Sequence, residues 1–126
     1  MNYFRVSRFL SAAVLAASLT VAAAEKNPVT VKGYVLDSAC AFTKNLAKPI
    51  SPECALSCAK AGSPLVILSD NGTIYWPISD AMPATGQNER LMKFAGQKVV
   101  ATGKVFVRGG SRAIVIEKVE AAAAAN

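Results

Sequence analysis

Apolar positions along the chain change period several times, and each change marks an element. Phe9–Val21 (FLSAAVLAASLTV) is an uncharged, mostly apolar run with no polar face. From Val29 to Asp37 (VTVKGYVLD) apolar residues fall at 29, 31 and 35, the two-residue period of a half-buried strand. Leu65–Ser69 (LVILS) is a short continuous apolar run, and Thr73–Ile78 (TIYWPI) is rich in β-branched and aromatic residues. Asp70-Asn71-Gly72 lies between these two runs. Asn-Gly supplies two residues that tolerate positive φ, so a tight hairpin is predicted there.

The second half repeats the strand signals around one helix. Gln87–Ala95 (QNERLMKFA) places Leu91, Met92 and Phe94 on an apolar side, with Asn88 as the predicted cap and Gly96 as the terminator. Lys98–Val107 and Arg112–Val119 are β-rich runs joined by the glycine turn Arg108-Gly109-Gly110-Ser111. Gly103, inside the first of them, predicts a bulge or bend.

Between the first and second strands lies an insert, Ser38–Pro64. Ser51-Pro52-Glu53 is a helix start: serine at the cap, proline in the first turn, and a carboxylate at the positive end of the dipole. Gly62 ends that helix before Pro64. Cys54 and Cys58, four residues apart, share one helix face, and Cys54 sits near the helix N-terminus. The order is strand, cysteine-bearing insert, strand, strand, short helix, strand, strand. This order predicts a mainly β fold: a small five-stranded OB-fold-like barrel, the helical insert between strands 1 and 2 and a short helix between strands 3 and 4. The competing architecture is an open five-stranded sheet with helices on one face; closure is preferred because it removes exposed edges.

The N-terminus changes the compartment. Arg5 and Arg8 precede the apolar run, and Ala22-Ala23-Ala24 follows it with the small-x-small pattern of a signal-peptidase site. At thirteen residues the run is too short for a comfortable span, which needs about 20. Residues 1–24 are therefore read as a signal peptide cleaved after Ala24. Residues 25–126 are one periplasmic or secreted domain without a membrane span, with 121–126 as a frayed alanine tail. Loss of the two arginines lowers the formal charge of +6 by two. That mild, scattered excess argues against nucleic acid as the partner.

Histidine is absent, which removes Ser-His-Asp and Cys-His catalysis and His-ligated zinc. The chemistry left to read lies in three cysteines, Cys40, Cys54 and Cys58. In an oxidising compartment the first expectation is one disulfide, Cys40 with Cys58 or Cys54, because residues at i and i+4 of a helix are badly aimed at each other. Such a bridge would stabilise by about 3 kcal/mol. The second is a soft-metal site in which Cys40, Cys54 and Cys58 hold Cu(I). The third is a thiol–disulfide redox role, and the odd cysteine also allows an intermolecular bridge.

In an OB-type barrel the loops after strands 1 and 4 flank one face. Here they carry the cysteines and Arg108 and Arg112, with Tyr75 and Trp76 on the adjoining strand. These four residues form a candidate ligand face for an acidic sugar or a nucleic-acid strand. Trp76 alternates with Ile74 and Ile78, which directs it to the core. Asp37 and Asp80 are read as solvated strand ends. The sequon Asn71-Gly72-Thr73 coincides with the hairpin turn.

Gly33-Tyr34-Val35-Leu36-Asp37-Ser38-Ala39-Cys40, Cys54 with Cys58-Ala59, Gly62-Ser63-Pro64-Leu65, Asp70-Asn71-Gly72 and Ala95–Val99 with Thr102-Gly103 together resemble small exported bacterial domains of uncharacterised function. The resemblance covers nearly all of the chain after the leader. It implies an OB-fold-like barrel with a cysteine-bearing loop after the first strand, and export; several such sequences carry a histidine among the cysteines, which this chain does not. The resulting expectation is an exported, non-catalytic binding or structural domain, monomeric or weakly associating, with one disulfide and an unidentified ligand. Cu(I) binding and thiol redox are the alternatives.

Overall fold

The computed structural model describes residues 27–123, and the leader with its Ala24 cleavage site lies outside them. Five strands, β1 (Val29–Asp37), β2 (Leu65–Ser69), β3 (Ile74–Pro77), β4 (Lys98–Arg108) and β5 (Ser111–Ala121), form a closed barrel in the order β1-β2-β3-β5-β4. All neighbours are antiparallel except β3 and β5, which pair in parallel through Tyr75–Arg112, Trp76–Ala113 and Pro77–Ile114. This closed five-stranded arrangement is consistent with the OB-fold-like barrel and excludes the open sheet.

The barrel interior is built from alternate residues of four strands. Val31, Val35, Leu65, Ile67, Val99, Ala101, Val105, Ile114 and Ile116 form one cluster, sealed by Ala59, Leu91 and Phe94 from the helices. A second cluster lies outside the barrel wall, where Leu36, Val66 and Leu68 meet Ala41, with Ile74 and Trp76 packed against them. The strand β2 thus has both faces covered: residues 65 and 67 point in, 66 and 68 point out under the insert. Burial on both sides is why its sequence reads as an unbroken apolar run.

The insert holds two helices, α1 (Ser38–Lys44) and α2 (Pro52–Lys60). The start of α2 follows its sequence signals, with Ser51 Oγ accepting the Cys54 N–H at 3.2 Å. The helix α1 is an addition to what the sequence suggested, since Ser38–Lys44 reads as loop. It begins because Asp37, at the end of β1, caps it through the Cys40 N–H.

Several local expectations change. The β2–β3 turn has positive φ at Gly72 (+84°) but not at Asn71. Gly72 N–H donates to Ser69 O at 2.9 Å, and Asn71 Oδ1 accepts the Thr73 N–H at 3.0 Å. The connection is therefore a three-residue loop ending in a left-handed glycine, and not a two-residue turn. Asn88 starts a single turn, α3 (Asn88–Leu91), which runs into a 3-10 turn, Met92–Phe94, but its side chain does not cap it. Instead Asn88 Oδ1 accepts the Leu65 N–H at 2.8 Å, and Nδ2 donates to Ser63 O at 2.8 Å and Ala59 O at 3.2 Å. Ala121 belongs to β5, opposite Val99, so the ordered sheet enters the expected tail. The bulge falls where predicted, as a register shift between Thr102 and Gly103.

Candidate functional site

The chain reversal from β1 through the insert to β2 gathers the three cysteines beside one buried carboxyl. Asp37 is 1% exposed, the one buried residue with an ionisable side chain among those described. Sequence reading placed it in solvent at a strand end; the structure corrects this, because the residue terminates β1 and starts α1 in the same step. Its Oδ2 accepts the Cys40 N–H at 3.1 Å. Its Oδ1 is buried and has no partner at hydrogen-bonding geometry among the described residues. A buried polar atom left unpaired costs free energy and calls for an explanation. Asp80, in contrast, is exposed, so the two aspartates do not share a site.

Each cysteine is half-buried, and each is a free thiol. The expected bridge from Cys40 to Cys58 or Cys54 is not found: no pair lies at disulfide distance. Cys40 lies on α1 and Cys54 and Cys58 on α2, and the spacing between these helices leaves all three thiols unlinked. The proton on Cys40 is held firmly, its thiol pushed up to about 11. The adjacent Asp37 carboxyl is the main cause, followed by burial and the charge of Cys54, with Lys44 opposing them. The Cys58 thiol is also raised, first by desolvation, then by the charge of Asp37 and the influence of Cys54. Cys40 and Cys58 thus each sense Asp37 and Cys54. Asp37 and Cys54 are therefore the neighbours that Cys40 and Cys58 share.

A cavity of about 30 Å³ adjoins these groups. Asp37, Cys40 and Cys54 line it with Lys44 and Lys48, and Leu36, Leu46 and Ile50 supply an apolar wall. A space of that size holds one or two water-sized occupants and excludes an organic ligand. Among the described residues, no three His, Cys, Asp or Glu side chains already stand close enough together to hold a metal ion. A ready-made three-thiolate cage is therefore absent; a pair of thiolates with Cys54 as the common member fits what is there.

The candidate ligand face divides. Trp76 and Arg112 line one groove on the outer barrel wall. Trp76 packs against the outer cluster, which corrects its expected place in the core; Tyr75, its neighbour, turns inward against the barrel interior instead. Arg108 is exposed and does not line that groove. Phe42, from α1, stacks on Trp76 with ring centroids 6.2 Å apart. Sequence reading missed Phe42 because the helix that presents it was not anticipated. The signal for that helix was Asp37 three residues before Cys40, an N-cap spacing. No helix among the described residues is long and apolar enough to cross a membrane.

Fold and site together define a small closed β-barrel whose first crossover carries one buried carboxyl and three free thiols. Compared with protein-family models, curated proteins and solved structures, the chain matches none.

Proposed function

We propose that this is an exported, non-catalytic binding protein whose thiols take up a single Cu(I) ion, with Cys54 and one of its two neighbours, Cys40 or Cys58, as the ligands. The supporting observation is that Cys40 and Cys54, both unlinked, line a cavity of single-ion size with the buried carboxyl of Asp37, and that Cys58 lies near Asp37 and Cys54. Soft sulfur donors select Cu(I) over harder cations, and Cu(I) accepts two ligands, so no cage of three is required. Uptake of Cu(I) on two thiols releases two protons and leaves a bis-thiolate unit of net charge −1, opposite in sign to Lys44 and Lys48 on the same cavity wall.

Two features weigh against turnover of a disulfide. The Cys40 and Cys58 thiols hold their protons more tightly than a free cysteine does, which makes them poor nucleophiles near neutral pH. No histidine is present to withdraw those protons. The export assignment rests on the leader pattern of residues 1–24.

The test is an anaerobic titration of the reduced protein with Cu(I) against a colorimetric Cu(I) chelator, preceded by a thiol count on protein secreted to the periplasm. The expected result is three free thiols and one ion retained per chain. Retention is lost in Cys54→Ser and weakened in Cys40→Ser and Cys58→Ser. A single free thiol would return the site to a structural disulfide. Copper loss to the chelator, or equal retention by Cys54→Ser, would also overturn the reading. So would turnover of a disulfide substrate by the copper-free protein.

A further inference from the structure

The outer groove is independent of the thiols, although α1 contributes to both. Its volume is about 460 Å³, within the range of small-ligand sites. Phe42 forms one wall and Trp76 the adjoining one, their rings tilted by 40°. Phe42 is 65% exposed, an expensive place for a phenyl ring unless something covers it.

The opposite wall is the β4–β5 turn, Gly109-Gly110, followed by Ser111 and Arg112. Both glycines have positive φ, and a Cβ at either would meet nothing within 4 Å, so the turn stands clear of the barrel. No acidic side chain lines the groove. Among the described residues, the Arg112 guanidinium makes no ion pair or side-chain hydrogen bond. The groove therefore combines two tilted aromatic faces, a free cation, and hydroxyls from Thr73 and Ser111.

We infer that this groove binds an acidic carbohydrate, with a sugar ring's apolar face against Phe42 and Trp76 and its carboxylate paired with Arg112. Each component has its counterpart. Axial C–H groups of a pyranose pack on aromatic rings, a guanidinium pairs a carboxylate through two parallel hydrogen bonds, and sugar hydroxyls meet the hydroxyls and turn amides. The volume accommodates a short oligosaccharide. A nucleic-acid strand would instead follow a basic stripe with successive stacking platforms, and here one guanidinium lines the groove.

Trp76 is the one tryptophan in the chain, so its emission reports the groove directly. The full chain is titrated with trigalacturonic acid, its fully methyl-esterified counterpart and a short oligothymidylate. The acidic sugar is expected to shift Trp76 emission saturably. Arg112→Gln should weaken that binding by about 10-fold or more, the loss expected for one charge-assisted hydrogen-bonded pair. Phe42→Ala should weaken it by about fivefold. Both substitutions are at exposed positions, and unchanged circular dichroism verifies the fold. The inference is overturned by any of three results: no shift at millimolar acidic sugar, equal binding of the ester or by Arg112→Gln, or tighter binding of oligothymidylate. Cysteine variants should bind the sugar as the parent does, which separates this result from the copper titration.

Discussion

Asp37 holds Cys40 twice: its Oδ2 accepts the Cys40 backbone N–H at 3.1 Å, and its carboxyl is the main reason the Cys40 thiol is pushed up to about 11. One residue thus starts α1 and sets the protonation of the nearest sulfur. At pH 8 the thiolate fraction of such a group is far below that of an ordinary cysteine, partly offset by higher intrinsic nucleophilicity. Cys40 should react with iodoacetamide about tenfold more slowly than an unperturbed thiol. Asp37→Asn keeps a capping oxygen and removes the charge, so it should speed Cys40 alkylation, read by peptide mass spectrometry. Unchanged rates would show that Asp37 does not govern this thiol.

The same shift has a stability consequence with a definite sign. The folded protein binds the Cys40 proton more tightly than the unfolded chain, whose cysteine titrates near 9.0. The contribution is present in full below pH 9 and is lost as pH rises toward 11. Urea unfolding across that window should show a steeper loss in the parent than in Cys40→Ala. Parallel curves would contradict it.

Ser51 connects the sequence-level helix start to the thiols, because the N–H it caps belongs to Cys54. Ser51→Ala should destabilise the fold by about 1 kcal/mol, and Ser51→Thr should restore most of it. Hydrogen exchange should localise the change to the first turn of α2.

The barrel was legible because its strands carry period-two patterns, a both-faces-buried run at β2, and glycines where the chain turns or bends. The insert was only half legible. The α2 start has a full set of local signals, whereas α1 depends on an aspartate that also ends a strand, and strand-end aspartates are ordinarily solvated. Phe42 and the inward turn of Tyr75 follow from that unseen helix and from the parallel closure of β3 on β5. Both are tertiary facts, without a period of their own. The free state of the cysteines likewise depends on where two helices lie, which spacing does not encode.

Asn88 is the clearest case of a polar residue whose local signal misleads. Its amide ties the end of α2 to the start of β2 through three hydrogen bonds, to Leu65, Ser63 and Ala59. Asn88→Ala leaves those backbone groups without their partner and should cost about 2 kcal/mol by urea unfolding. Asn88→Asp keeps the acceptor for Leu65 but loses both donors, so it should fall between the two. A cost within about 0.5 kcal/mol for the alanine variant would mean that water replaces the amide freely.

Gly103 tests the barrel's curvature. It sits at the register shift where β4 crosses β5, and a Cβ there would collide with the Val115 carbonyl oxygen and lie 2.9 Å from its carbon. Those atoms are backbone in a paired strand and cannot turn aside as a flexible side chain would. Gly103→Ala must therefore pry β5 from β4 or flatten the bend, and either exposes core residues near Ile116. The expected loss is about 3 kcal/mol, set against a change within about 0.5 kcal/mol for Gly86→Ala, where a Cβ meets nothing within 4 Å. Equal midpoints for the two variants in urea would show that the strands are not in contact at this point.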